Sequence, residues 1–191
     1  MTNDFNIAGI YGSLRGASLN RMALRLAGEC MPPGMALSEI SIREVPLFDG
    51  DLLARGMPPS VVSLRESIRS CDGVVIATPE YNFSIPGVLK NALDWISRGD
   101  DQPFAYKPVA IISASPGPLG GARVQYDLRK VLLFMNAQML GKPEVFIGAA
   151  VGKFGPNGEC TDETTHEFVT KQMAAFKRWI EAVKRMGLER L

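Results

Sequence analysis

The sequence predicts an α/β protein built on a parallel sheet that is covered by helices on both faces. Three observations predict it. Short, continuously apolar runs such as Val74–Ala77 and Pro108–Ala114 have the length and β-branched content of strands buried on both faces. Segments with apolar residues at helical spacing alternate with those runs along the chain. Residues 73–98 read as strand, loop and helix in immediate succession, with a polar-aromatic loop, Glu80-Tyr81-Asn82-Phe83-Ser84, at the carboxyl end of the strand. In open α/β sheets that edge is where ligands bind.

Phe5–Tyr11 reads as the first strand and 12–20 as a loop, followed by a helix over 21–29 with Met22, Ala23, Leu26 and Ala27 on one face. Pro32-Pro33-Gly34 ends that helix, and Met35–Ile42 is the second strand. Residues 43–59 carry Pro46, Pro58 and Pro59 with little periodicity and read as a long surface connection. A short helix over 61–70 leads into the central strand, which stops at Thr78-Pro79. Pro86 suits the start of the next helix, where Val88, Leu89, Ala92, Leu93 and Ile96 recur at helical spacing and Asp94 and Arg98 form an i,i+4 pair. Pro108–Ala114 is the fourth strand and Ser115–Gly121 a loop of turn residues. The next helix, 122–135, turns Leu128, Val131, Leu132 and Met135 inward. Val145–Ala149 is the fifth strand, and a long amphipathic helix over 162–186, capped from Thr161 or Asp162, closes the chain. Right-handed crossovers bring the loops after Tyr11, Ala77 and Ala114 to one edge.

The 191 residues suit a single domain, 1–191, with a full core. A net charge of +1 without any Lys/Arg run argues against nucleic acid as a partner. Cys30, Cys71 and Cys160 lack metal-ligand spacing and read as buried thiols in a reducing compartment. No basic stretch leads into an apolar core near Met1, and no apolar run has the length of a membrane span, so the expectation is a cytoplasmic protein.

Three loops carry the chemistry. The first lacks the Lys-Ser/Thr end of a P-loop, and Gly9, Gly12 and Gly16 are not spaced as a dinucleotide fingerprint. It does place Ser13, Arg15, Ser18 and Asn20 just ahead of a helix, where free N–H groups, hydroxyls and one positive charge suit a phosphate monoester. The same residues also suit ordinary helix capping. With His166 as the only histidine, a Ser-His-Asp hydrolase has little support.

Taken together, the stretches 12–21 (GSLRGASLNR), 79–95 (PEYNFSIPGVLKNALDW) and 113–129 (SASPGPLGGARVQYDLR) resemble the NADPH-dependent FMN reductase family, most closely its bacterial quinone and chromate reductase branch. The resemblance runs from the first strand to the last helix. It implies a flavodoxin-like three-layer sandwich, a five-stranded parallel sheet of order 2-1-3-4-5 with non-covalent FMN at the switch between strands one and three. It places Ser13, Arg15, Ser18, Leu19 and Asn20 on the FMN phosphate. Pro79, Glu80, Tyr81, Asn82, Phe83 and Ser84 would line the ribityl chain and pyrimidine side, mostly through backbone groups. Ser113, Ser115 and Gly117 would support the isoalloxazine, with Gly120 and Gly121 nearby. Relatives often carry a lysine after the loop arginine, whereas Gly16 stands here.

The implied activity is transfer of electrons from NADPH or NADH through FMN to a small-molecule acceptor. Quinones lead, with chromate, azo dyes and nitro compounds behind them. No side chain is needed as nucleophile or metal ligand. A flavodoxin-type one-electron carrier is the rival reading; such carriers cover the flavin with aromatics, whereas the third loop here is Ser, Pro and Gly. A non-redox binder of a phosphorylated ligand would use the first loop alone. The family also places Arg123, Tyr126 and Glu144 at subunit contacts near the flavin. Apolar residues spread around the helix at 86–97, Trp95 included, and Val124, Tyr126, Leu133 and Phe134 outside the inward row of the next helix point to a homodimer or homotetramer. Trp179 and Met139 read as packing residues, and His166 as a solvated one.

Overall fold

Strands and helices alternate along residues 5–187, which the computed structural model describes. They are β1 (Phe5–Tyr11), α1 (Leu19–Glu29), β2 (Met35–Ile40), α2 (Gly50–Ala54), α3 (Pro59–Ser70), β3 (Gly73–Thr78), α4 (Gly87–Ile96), β4 (Pro108–Ala114), α5 (Ala122–Phe134), β5 (Gln138–Met139), β6 (Val145–Ile147) and α6 (Glu163–Arg185). Every paired strand is parallel, in the order β2-β1-β3-β4-β5, with β6 also on β4. This is the flavodoxin-like order, with its switch point between β1 and β3.

β3 and β4 are buried at every residue. Alternate side chains serve the two faces: Val75 and Ala77 join α1 and α6, whereas Val74 and Ile76 join α3, α4 and α5. Each buried Val or Ile there contributes about 1.5–3 kcal/mol.

The structure moves several boundaries. β2 stops at Ile40 rather than Ile42, because its last register partner is Ile10 and the first loop turns away beyond it. α1 starts at Leu19, ahead of the expected 21, because Ser18 caps it. α3 starts at Pro59 rather than Val61, with proline in the first turn, where a missing N–H costs nothing.

The fifth strand is divided. Val109 pairs with Met139, whereas Ile112 and Ala114 pair with Val145 and Ile147. The Leu140 N–H still reaches the Val109 carbonyl at 2.8 Å, and residues 141–144, with a cis bond before Pro143, separate the two pieces. Gln172 of α6, nearly fully buried, bridges the gap by donating Nε2 to the carbonyls of Ile111 and Pro143, both at 3.0 Å.

The connection 43–59 is not a bare surface loop. It contains α2, capped by Asp49, and it docks on α4. Asn91 and Trp95, one turn apart, both donate to the Pro46 carbonyl at 2.8 Å, and the Asn91 oxygen accepts the Phe48 N–H. Phe48 meets the Trp95 ring edge-on, with centroids 4.9 Å apart. Trp95 is therefore buried within the chain and leaves no surface for a partner. Val124, expected outside the inward row of α5, is buried as well, and Val131 is only half-buried.

The Asp94–Arg98 pair does not form. Lys90 takes the Asp94 carboxylate at 2.7 Å, and Arg98 donates instead to the Asp94 backbone carbonyl while lying over the Phe48 ring. Cys30 and Cys71 are buried and burial pushes both thiols up, but Cys160 is only half-buried. His166 is exposed, as expected. No helix among the described residues is long and apolar enough to cross a membrane.

The docking of 46–48 on α4 has a measurable consequence. Trp95→Ala should cost about 3–5 kcal/mol, whereas Leu47→Ala, at a side chain 82% exposed, should stay within about 0.5 kcal/mol. Urea unfolding midpoints of the two variants check this.

Candidate functional site at the carboxyl edge of the sheet

The register sets the site. Tyr11 lies beside Ala77 and Thr78 beside Ser113, so the loops after β1, β3 and β4 leave the sheet side by side.

In the first loop Ser13 and Ser18 are both 4% exposed. The Ser18 hydroxyl accepts the Arg21 N–H at 3.2 Å, and the Ser13 hydroxyl accepts the Arg15 N–H at 3.4 Å. Each oxygen takes up one backbone donor and keeps its own proton to give away. The N–H groups of Leu19 and Asn20, in the first turn of α1, have no intrahelical acceptor. Arg15 is exposed and enters no ion pair among the described residues. Hydroxyl protons, free amides and one guanidinium form an all-donor set, which suits an anion.

The Asn20 side chain has a different task. Its amide donates to the Ala114 carbonyl and accepts the Ala114 N–H, both at 2.9 Å. The pairing of β3 with β4 ends at Thr78 and Ser113. Asn20 thus takes up the Ala114 backbone beyond that pair, and fixes α1 to the end of β4. Only its backbone N–H remains for a ligand.

The second loop folds into a tight hairpin in which Tyr81 and Ser84 exchange backbone hydrogen bonds at 3.1 and 3.0 Å. Asn82 and Phe83 at its tip both have positive φ, 51° and 67°. Asn tolerates that region, whereas for Phe it is an outlier. Glu80 turns away from the tip toward α5. That helix begins at Gly121 with no side-chain cap of its own. The Glu80 carboxylate accepts the N–H groups of Arg123 and Val124 at 3.0 and 3.1 Å and the Arg123 guanidinium at 2.9 Å. Arg123 in turn lies 4.2 Å from the centre of the Phe83 ring. At the hairpin's other end, Asp127 has its carboxyl held below the usual range by Lys130 and then by the Ser84 hydroxyl.

The third loop is braced from 145–150. Gln125, fully buried, donates Nε2 to the Ser113 hydroxyl and the Val145 carbonyl, both at 2.8 Å. Ser115 and Gly117 exchange backbone bonds with Ile147, Ala149 and Ala150, and the Ser115 hydroxyl accepts the Gly117 N–H at 3.1 Å. Gly148 lies so close to the Pro118 carbonyl that any Cβ would overlap it, and a Cβ on Gly120 (φ 60°) would stand 2.7 Å from the Phe146 backbone.

Of the fourteen residues that the sequence marks as candidates, thirteen fall on these three adjoining loops and the first turn of α1, and Ser113 is buried near the end of β4. Arg123, Tyr126 and Glu144 do not form one cluster. Arg123 is taken by Glu80, whereas Lys142, helped by the Tyr126 hydroxyl, holds the Glu144 carboxyl below its usual range. Sequence reasoning missed Glu80 as a cap, Gln125 as a brace and Asn20 as a bridge. One signal for the first was present: Gly121-Ala122-Arg123 opens a helix without a Ser, Thr, Asp or Asn cap.

A doubly wound sheet of this order with an anion-suited first loop at its switch point defines a nucleotide- or flavin-binding protein. The chain matches the family model for NADPH-dependent FMN reductases over residues 5–152. It is 44% identical to the NAD(P)H-dependent FMN reductase of Pseudomonas aeruginosa over 184 residues, 96% of this chain and all of that one. It is 44% identical to the quinone reductase of Escherichia coli K12 over 187 residues, with the same coverage of both chains. Among solved structures it is similar to the flavoenzyme NAD(P)H:(acceptor) oxidoreductase FerB from Paracoccus denitrificans, with TM-score 0.86 and 35% identity, covering 93% of this chain and 98% of that one. The chain belongs to the NADPH-dependent FMN reductase family. It is an oxidoreductase that works with FMN and a reduced nicotinamide.

The Asn20 bridge can be tested apart from any ligand. Asn20→Ala leaves the N–H and C=O of Ala114 unpaired, at about 1–3 kcal/mol each. Urea unfolding of the flavin-free variant should register that loss.

Proposed function

We propose that the chain is an FMN-dependent NAD(P)H:quinone oxidoreductase of the cytoplasm, with residues 1–191 acting as one FMN-binding domain. The observation that carries this reading is the all-donor first loop at the switch point, set beside two further loops that the strand register aligns with it. The donor chemistry fits a phosphate monoester, and the family match supplies its identity.

Ser13, Arg15, Ser18 and the N–H groups of Leu19 and Asn20 hold the phosphate. Backbone groups of Pro79, Glu80, Tyr81, Asn82, Phe83 and Ser84 line the ribityl chain and the pyrimidine side, which agrees with the Glu80 side chain being turned to α5. Ser113, Ser115 and Gly117 support the ring from the third loop. When bound, FMN takes hydride from the reduced nicotinamide and passes the electrons to an acceptor. The chain's own residues orient the cofactor and direct N–H donors toward the negative charge that develops on it. Quinones are the principal acceptor class, following the names of the relatives, with chromate, azo and nitro compounds as side substrates. The free thiols Cys30 and Cys71 agree with a reducing compartment.

The purified protein should carry or take up FMN and oxidise NAD(P)H in the presence of a quinone. Recovery of FAD alone, or no uptake of FMN, rejects the reading. In Arg15→Ala the loss of a charge-assisted bond worth about 1.5–3 kcal/mol should weaken FMN binding roughly tenfold to a hundredfold, with circular dichroism unchanged. A fluorescence titration measures it.

A second copy of the chain covers the outer face of α5. There Tyr126, Leu133 and Phe134 are 55%, 69% and 79% exposed along the length of the helix, and this patch supports a homodimer or a homotetramer of two such pairs. Light scattering after size exclusion should give a dimer or larger at micromolar concentration. Phe134→Glu should shift it toward the monomer.

A further inference from the structure

Among the side chains around the second loop, Glu80 is out of place. Its neighbours at the hairpin, Tyr81, Asn82, Phe83 and Ser84, are exposed, whereas the Glu80 side chain is 11% exposed and carries three charge-assisted bonds. Two of those bonds satisfy the N–H groups of Arg123 and Val124, which an α-helix leaves open at its start. The third pairs the carboxylate with the Arg123 guanidinium. α5 lacks a cap of its own, so the carboxylate, 43 residues upstream in sequence, stands where a Ser or Asp would ordinarily stand. The favourable field at a helix N-terminus strengthens the same contact.

Those bonds also act on the loop. Asn82 and Phe83 are in the left-handed region together, a conformation that the local sequence disfavours at Phe83. It persists where the surroundings over-determine it. The surroundings here are Glu80 bonded to α5 on one side of the tip and Arg123 over the Phe83 ring.

We infer that Glu80 is a positioning residue: through α5 it latches the 81–84 hairpin into the shape that receives the flavin. The inference rests on the FMN reading for what the loop binds, but the latch itself is a property of the chain alone. It acts by pre-organisation. A hairpin already held in place gives up less conformational freedom when the cofactor arrives, so the latch appears in the cofactor's dissociation constant. Glu80 contributes no side-chain atom to the flavin, and its effect travels through backbone geometry.

The test has two readouts. The first is amide hydrogen exchange in the flavin-free protein. Glu80→Ala should speed exchange at Arg123 and Val124 and across 81–84, while β3 and β4 keep their protection. The second is FMN titration, in which Glu80→Ala should raise the dissociation constant about tenfold to a hundredfold. Glu80→Gln keeps an oxygen for the two N–H groups and should recover most of the exchange protection and part of the affinity. A role in stability alone would raise exchange throughout the protein and would not be rescued locally by Gln. Arg123→Ala should weaken FMN binding less than Glu80→Ala, and its effect should shrink when combined with Glu80→Gln. Should Glu80→Ala fail to fold, Glu80→Gln and Arg123→Ala carry the same comparison. Unchanged exchange at Arg123 and Val124 overturns the latch, whatever the flavin result. Unchanged FMN affinity in variants whose 81–84 amides have lost protection overturns the link to the cofactor. A wild-type protein that takes up no FMN rejects the FMN reading, and exchange alone then decides the latch.

Discussion

A parallel ladder buried on both faces imposes one constraint from which the rest of this structure follows. Each strand must return over a helix to the same end of the sheet, so every strand finishes at the same edge. Registers of Tyr11 with Ala77 and Thr78 with Ser113 then bring three loops out within a residue of one another. The ladder is incomplete in two places: β3 and β4 pair only as far as Thr78 and Ser113 at that edge, and the fifth strand is divided around Pro143. Side-chain amides take over where strands fail. Asn20 serves Ala114, Gln125 serves Val145 and Ser113, and Gln172 serves Ile111 and Pro143. These buried amides tie α1, α5 and α6 to β4.

Side chains at this edge also decide which helix start is open to an anion. α1 and α5 both begin at this edge, with similar N-terminal amides. At α5 two of those amides are consumed by Glu80, an acidic group that would repel a phosphate. At α1 the cap is Ser18, a neutral hydroxyl that takes one amide and offers a proton in return. A dianion therefore has a reason to choose the first loop over the third.

Most of the fold was legible because it rests on local pattern. The apolar runs of β3 and β4, the helical spacing in α4 and α6 and the prolines that punctuate them are properties of a few neighbouring residues. Asp162 as the cap of α6 was readable for the same reason. What escaped is long-range. The sealing of Trp95 by Pro46 and Phe48 joins residues 49 and 47 apart in sequence, and nothing within the connection itself announces that helix as its partner. The break in the fifth strand depends on Gln172 completing the ladder from the far side of the sheet. At the site, residue types were legible and their division of labour was not. Glu80 and Asn20 lie among the candidate ligand residues, yet both spend their side chains on neighbouring backbone. Lys90, one turn before Asp94, out-competed Arg98 because a Lys–Asp pair at that spacing and an aromatic face for Arg98 were both within reach.

The two ends of the sheet differ in how much hydrogen-bonding capacity they leave unspent. A cavity of about 1000 Å³ opens at the amino edge, beside Arg69, Asp72, Asp101, Lys107 and Lys184. Its cations are already matched. Lys107 donates to the carbonyls of Arg69 and Cys71, Lys184 pairs with Asp72, and Arg69 pairs with Glu66 and Asp101. A polar ligand entering there would have to displace partners of equal strength, and the exchange would gain little. The carboxyl edge keeps its donors free: the protons of Ser13 and Ser18, the first amides of α1 and the Arg15 guanidinium. Those groups lose only water when an anion binds, and they lose it to a partner carrying full charge. Unspent hydrogen-bonding capacity distinguishes the carboxyl edge of the sheet from the opposite one.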